Sequence, residues 1–109
     1  MEVRMNAFTT EKIKQTMGDK GGIIKLFYDA EDCGCNGVLV LQVLDQPYPA
    51  DIRVQDEPLA IFIDRQQAPL FDDIMNVEAD PVFPVYKVAS DDSVFSTNVP
   101  LRDLRKQAV

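Results

Sequence analysis

Apolar residues in this chain fall into short runs separated by turn-forming residues. Between residues 2 and 6, Val3 and Met5 alternate with polar neighbours, which predicts a short strand. Two longer runs rich in β-branched and aliphatic residues, 23–28 and 38–44, predict strands, and the second is apolar enough to be central. Shorter apolar runs predict further strands at residues 52–54, 59–63, 82–89 and 94–97.

Helical spacing is found in two places. Thr9 or Thr10 can cap a short helix that continues to Met17. A second short helix is predicted from Pro69, a residue favoured at the first helical position, through Met75.

The late part of the chain is less regular. Pro81 and Pro84 cannot donate backbone hydrogen bonds at their nitrogens, which predicts an edge position for the start of the 82–89 strand. Residues 101–107 are interpreted as a charged tail with a frayed helical turn. About six short strands and two short helices make this an α+β domain that is mainly β.

Length and composition limit the domain number, the partners and the location that can be expected. The 109 residues predict a single domain spanning 1–109. Eleven basic against 18 acidic residues give a net charge of −7, which argues against nucleic acid and anionic membranes as partners. No apolar stretch has the length of a membrane span and the N-terminus lacks a signal-peptide core, so a cytoplasmic location is expected.

The chemistry of the chain is concentrated in Cys33-Gly34-Cys35. These are the only two cysteines, and the chain has no histidine, so a Cys–His catalytic pair is excluded. Residues two apart in extended chain point to the same side, so both sulfurs can face one ligand. Thiolates favour soft metals and iron–sulfur clusters, and a tetrahedral site needs about four ligands. Two chains, or one chain and a partner protein's thiols, would supply them.

Other interpretations of this segment stay open. Asp29, Glu31 and Asp32 raise the pKa of the neighbouring thiols, which favours holding a cation over acting as an unassisted nucleophile. A bare C-x-C is a weak motif, and both cysteines could be small buried hydrophobic residues or incidental turn residues. A reversible redox couple is a third interpretation.

Two further features are interpreted as structural. The acidic pairs Asp72-Asp73 and Asp91-Asp92 lack the ligand spacing of a calcium loop and are expected to be solvated turn or helix-start residues. The aromatic residues are scattered over predicted strands and helices and are expected in the core. They are Phe27, Tyr28, Phe62, Phe71, Phe83, Tyr86 and Phe95.

In context, the cysteine segment resembles the HesB/IscA-like family of iron–sulfur cluster biogenesis proteins. The similarity lies in a strand ending at Asp29, the segment from Cys33 to Val38, and the turn Asp45-Gln46-Pro47. The opening helix from Thr9 and the run 59–64, a strand ending in aspartate, also match. The resemblance covers residues 6–98 and implies a HesB-like domain of packed mixed sheets.

The resemblance also implies a function. In A-type carriers of the family, one first-loop cysteine and a C-terminal Cys-Gly-Cys bind iron or a cluster across a dimer. Cys35 matches the first-loop cysteine and Cys33 is an additional thiol, whereas residues 96–109 contain no cysteine. The chain is therefore identified as a short, divergent member that lacks the C-terminal Cys-Gly-Cys.

The expected function is that of a non-enzymatic accessory protein, a carrier or scaffold in cluster biogenesis. Cys35 and Cys33 would be its iron or cluster ligands, a homodimer would complete the ligand set, and assembly or acceptor proteins would be its partners. The alternative is a cluster-free protein-interaction domain that keeps the fold.

Overall fold

The computed structural model describes residues 1–30 and 37–106. Over these residues the chain forms eight strands, one α-helix and two 3-10 turns. The strands are β1 (Glu2–Met5), β2 (Ile23–Asp29), β3 (Val38–Leu44), β4 (Asp51–Gln55), β5 (Ile61–Asp64), β6 (Ile74–Ala79), β7 (Val85–Ala89) and β8 (Val94–Asp103). Helix α1 is Ala7–Met17, and the 3-10 turns are Gly18–Lys20 and Ala68–Leu70.

All eight strands belong to one mixed sheet in the order β1-β6-β7-β8-β3-β2-β5-β4. The pairs β1/β6, β2/β5 and β3/β8 are parallel, and the other four pairs are antiparallel. The two edge strands, β1 and β4, approach each other, so the sheet is nearly closed into a barrel. A single cluster of buried apolar side chains from both halves of the sheet and from α1 forms the core.

Helix α1 packs against β6 through one face. Its cap is Asn6, whose side chain accepts a hydrogen bond from the Thr9 amide at 2.8 Å, so the predicted threonine caps are wrong. Ile13 and Met17 are buried as one apolar stripe. Thr9 is buried as well, and its hydroxyl accepts a hydrogen bond from the amide of Ala79 on β6 at 2.9 Å. No helix in the part of the chain that the structure describes is long and apolar enough to cross a membrane.

The α+β, mainly β class is confirmed, but six strands and two helices are the wrong counts. The predicted helix from Pro69 to Met75 is a 3-10 turn followed by the start of β6. Beyond Ile74 the burial pattern alternates with a period of two, with Met75, Val77 and Ala79 inward. Because Leu70, Phe71 and Ile74 have helical spacing, the sequence pattern indicates a helix there and not the start of a strand.

The edge position predicted for the 82–89 strand is also wrong. Strand β7 begins only at Val85 and lies inside the sheet between β6 and β8, while Pro81 and Pro84 stay in the preceding turn. The predicted tail 101–107 instead begins in the sheet, because Leu101 to Asp103 of β8 pair with Leu41 to Val43 of β3. Phe83, expected in the core, is 63% exposed in that turn.

One core cluster draws side chains from strands β1 to β8.

Candidate functional site

The predicted ligands Cys33 and Cys35 lie outside the described residues, which end at Ala30 and resume at Gly37. The structure does fix both ends of the segment that carries them. Strand β2 ends at Asp29 and β3 begins at Val38, and these two residues pair antiparallel. The cysteine segment therefore connects two neighbouring strands in the middle of the sheet.

An aromatic stack stands beside the end of β2. The rings of Tyr28 and Phe71 have centroids 5.6 Å apart, and Phe95 continues the stack at 6.2 Å from Phe71. Burial raises the pKa of the Tyr28 hydroxyl above its ordinary value, so this ring is neutral at physiological pH. The stack gives the exit of β2 an apolar neighbour on the core side of the sheet.

The main chain of Tyr28 is held from the side of β5 by one carboxamide. The Gln67 side chain accepts a hydrogen bond from the Tyr28 amide at 2.9 Å and donates one to the Tyr28 carbonyl at 2.9 Å. On the other side, Tyr28 pairs with Leu39 of β3. Both edges of β2 are thus hydrogen bonded close to where the cysteine segment begins.

The guanidinium of Arg102, on β8, is paired with the last residue of β2. Arg102 Nη1 is 3.1 Å from Asp29 Oδ2, and the carboxylate is only 17% exposed. The carboxylate at the end of β2 is thus paired with a positive charge. Sequence reasoning assigned residue 102 to a tail and missed this contact.

The C-terminal part of the described chain is fixed at the other end of these strands. Asp103 pairs with Val43, and the Leu104 amide donates to the Val43 carbonyl at 2.9 Å. Val43 lies five positions along the extended strand from Val38, a distance of about 17 Å. Arg105 is buried and donates to the carbonyls of Met17 and Gly21 at 2.7 and 2.8 Å.

The structure brings the two acidic pairs together. Asp72 and Asp73 lie with Asp91 and Asp92 around a surface pocket of about 240 Å³, with Ile74 and Ser90. Across residues 1–30 and 37–106, however, no three Asp, Glu, Cys or His side chains are arranged to hold a metal ion.

A larger groove of about 520 Å³ lies over β1, β6 and β7, in the other half of the sheet from the β2–β3 connection. Its lining is polar and of mixed charge, with Arg4, Asn76, Glu78 and Lys87 among its residues. It brings together no thiol and no imidazole, because the chain has no histidine and its only cysteines lie in the β2–β3 connection.

Comparison with protein families matches residues 1–103 to the model of a family described as iron-sulphur cluster biosynthesis. Among solved structures, the fold resembles a candidate Fe–S biosynthesis protein from Lactobacillus salivarius, described as having a novel fold, with a TM-score of 0.81 and 14% identity. That alignment covers 97% of this chain and 100% of the other. A candidate Fe–S biosynthesis protein from Lactobacillus acidophilus has a TM-score of 0.71 and 11% identity, over 94% and 90% of the two chains. Comparison with curated proteins gives no match.

Proposed function

We propose, because the chain belongs to the iron–sulphur cluster biosynthesis family, that it is a non-enzymatic accessory protein that binds iron or an iron–sulfur cluster during cluster biogenesis. Cys35 and Cys33 are the ligands in this proposal, with Cys35 the principal one. Assembly or acceptor proteins of the cytoplasm, where thiols stay reduced, would supply or receive the cargo. The observation that carries the proposal is the family match over residues 1–103, which includes the only two thiols of the chain.

The ligand count favours a shared site. One chain offers two thiolates, whereas a cluster or tetrahedral iron site takes about four. The C-terminal segment from Asp103 to Lys106 contributes no thiolate of its own. It is held at the far end of β3, where the Lys106 amide donates to Asp45 at 2.9 Å. We therefore propose that a second copy supplies the remaining two thiolates, which makes the loaded form a homodimer.

The acidic residues beside Cys33 and Cys35 favour the binding of a cation by these thiols. Its acidic neighbours disfavour free thiolates, and a bound metal ion removes the thiol protons and reverses that effect. Arg102 neutralises Asp29, so the total negative charge around a loaded, anionic site is reduced. The first effect favours cargo binding over nucleophilic catalysis by these thiols, and the second lowers the electrostatic cost of an anionic cargo.

Anaerobic reconstitution tests the proposal. The purified protein is incubated with ferrous iron and sulfide, desalted, and analysed for absorption, iron, acid-labile sulfide and mass, with Cys35→Ser and Cys33→Ser in parallel. We expect visible charge-transfer bands, bound sulfide and a dimer mass, all lost in Cys35→Ser. Circular dichroism and thermal midpoints of the unloaded variants show that the loss comes from the missing ligand and not from unfolding.

Retention of iron and sulfide by Cys35→Ser would contradict the ligand assignment. A colourless monomer with two titratable thiols in the wild type would contradict cargo binding altogether.

That second outcome would favour an interaction domain that keeps the fold without a cluster. The observation on its side is the exposed β6–β7 turn, where Val82 and Phe83 are 77% and 63% exposed and the preceding Pro81 lines a surface pocket with Phe8 of α1. Its distinguishing result is that the double variant Cys33→Ser, Cys35→Ser keeps both fold and partner binding.

A further inference from the structure

The groove over β1, β6 and β7 has a floor that the strand register defines. Arg4 of β1 is opposite Asn76 of β6, and Asn76 is opposite Ala89 of β7, so these residues form one row across three strands. In the next row, Glu78 of β6 is opposite Lys87 of β7. The residues that alternate with these along the strands are buried, so the five side chains belong to the outer face of the sheet. All five line the groove.

The charged groups of this floor are not paired with one another. The side chains of Lys87 and Glu78 form no ion pair and no hydrogen bond within the described part of the chain, although they are cross-strand neighbours. The Arg4 side chain bonds the Glu2 carboxylate through Nε and makes no further hydrogen bond to residues 1–30 or 37–106. Two cations and one carboxylate therefore face a cavity of about 520 Å³, a volume typical of small-molecule sites.

The floor is low between the two cations. Ala89 contributes only a methyl group and lies two positions from Lys87 on the same face of β7. Arg4 lies in the row of Ala89, two strands away, which is about 10 Å between the main chains. Arginine and lysine have long side chains that converge over such a span, so an anionic group above Asn76 and Ala89 can contact both cations.

Carboxylates flank the position of that anionic group. Glu78 lies on one side, two residues beyond Asn76 on β6. On the other side, Ser90 is shared with the neighbouring pocket that Asp91 and Asp92 line. A ligand with negative charge only would be repelled from both sides, whereas a ligand that also carries an ammonium group is complementary to Glu78.

We propose that this groove binds a small dicarboxylic amino acid, with its carboxylates on Arg4 and Lys87 and its ammonium group on Glu78. The two cations and one carboxylate of the floor match the two carboxylates and one ammonium group of such a ligand. Arginine binds carboxylates through two parallel N–H donors, and the terminal nitrogens of Arg4 are the ones that Glu2 leaves unbonded. The site is separate from the β2–β3 connection and does not depend on the function proposed above.

Titration of isotope-labelled protein with three probes, followed by the amide chemical shifts, tests the proposal. The probes are L-glutamate, glutarate, which lacks the ammonium group, and putrescine, which lacks the carboxylates, all at constant ionic strength. We expect L-glutamate to give saturable shifts at Asn76, Lys87 and Ala89. Glutarate should bind about fivefold more weakly, as is usual for the loss of one exposed ion pair. Putrescine should leave these amides unchanged.

Three variants assign the contacts. Arg4→Gln and Lys87→Gln should each weaken L-glutamate binding about fivefold. Glu78→Gln should remove the preference for L-glutamate over glutarate, a result that requires a direct contact with the ammonium group and that a general structural role would not produce. The matched control is Arg53→Gln, which makes the same change in net charge at an exposed ion pair outside the groove and should bind like the wild type.

An absence of saturable shifts with L-glutamate in the millimolar range would overturn the proposal. Equal weakening in Arg4→Gln and Arg53→Gln would also overturn it, because the net charge of the protein would then account for the affinity. A preference for L-glutamate that survives in Glu78→Gln would contradict the contact between that carboxylate and the ammonium group. Arg4, Glu78 and Lys87 are all exposed, so these variants should keep the wild-type thermal midpoint.

Discussion

Arg102 on β8 donates a hydrogen bond to Asp29, the last residue of β2, with 3.1 Å between Nη1 and Oδ2. The two residues are 73 positions apart in the sequence. Because β8 pairs with β3 and β3 pairs with β2, the fold carries this cation across one strand to the base of the cysteine segment. The acidic run that begins at Asp29 is therefore partly compensated in the folded protein.

Replacing Arg102 by glutamine should raise the pKa of the thiols. Loss of the Arg102 cation removes one positive charge from beside the Asp29 carboxylate, and a more negative environment disfavours the thiolate. Arg102 is 40% exposed, so solvent screening keeps the expected rise small. The measurement is the pH dependence of thiolate ultraviolet absorbance.

Arg53→Gln is the control because it makes the same change in net charge at an exposed pair with Asp56. A thiol titration that moves equally in both variants, or not at all in Arg102→Gln, would contradict a local effect of Arg102.

The strands next to the cysteine segment could be predicted because their signals are local. Residues 38–44 form one uninterrupted apolar run, and the structure places β3 at those bounds. Its side chains are buried on both faces, as expected for a central strand with neighbours on either side. The predicted 23–28 strand differs from β2 only by the addition of Asp29.

The groups that bind the end of β2 could not be predicted. Gln67 lies 39 positions from Tyr28, in a turn whose local pattern indicates only a break after a strand. Its carboxamide can bond the main chain of Tyr28, as a neighbouring strand would, only because β5 pairs with β2. Arg102 likewise gains its role from a parallel pairing that periodicity does not encode. Long-range register is what the sequence pattern lacks.

A buried ion pair joins β2 to the start of β4. Lys25 Nζ is 2.9 Å from Asp51 Oδ1, and the two side chains are 3% and 0% exposed. The ammonium group also lies 4.6 Å from the ring centroid of Phe27 and 4.8 Å from that of Tyr48. Asp51→Ala should cost about 3 kcal/mol of unfolding free energy, because it leaves the buried ammonium group without its counter-ion.

Urea denaturation of Asp51→Ala, Lys25→Met and the double variant measures this coupling. The double variant should lose less than the sum of the two single losses, since it no longer buries an uncompensated charge. Asp56→Ala, at an exposed pair, should cost less than about 1 kcal/mol. Additive losses at Lys25 and Asp51 would show that the pair is not coupled.

Gly22 lies where the chain enters β2, with a φ of +119°, and an added Cβ would be 2.6 Å from the Leu44 carbonyl oxygen. Gly22→Ala should therefore lower the unfolding free energy by more than about 2 kcal/mol, from strain and from the contact together. Gly21 also has a positive φ, of +71°, but faces open space, so Gly21→Ala should cost about 1 kcal/mol. Equal losses in thermal denaturation would show that the close approach to Leu44 does not matter.

Acid should weaken the anchoring of the C-terminal segment. The Arg105 guanidinium donates to Asp103 at 2.9 and 2.6 Å and lowers the pKa of that carboxyl group from its ordinary 3.8 to about 2. The folded state therefore binds this proton less readily than the unfolded state. The resulting stabilisation is present above the ordinary pKa and is lost as the pH falls from about 5 towards 2.

Asp103→Asn tests this linkage. At neutral pH it should lower the unfolding free energy by about 1 kcal/mol, and its stability should fall less steeply than that of the wild type as acid is added. Asp56→Asn, at an exposed carboxylate, serves as the control and should follow the wild-type slope.

Arg105 also donates to the Met17 and Gly21 carbonyls, so its guanidinium keeps those two hydrogen bonds when the Asp103 carboxylate is lost. Arg105→Lys, which cannot maintain this fork of contacts, should therefore cost more than Asp103→Asn in urea denaturation at neutral pH. An acid slope in Asp103→Asn equal to that of the wild type would assign the acid sensitivity to other carboxyl groups.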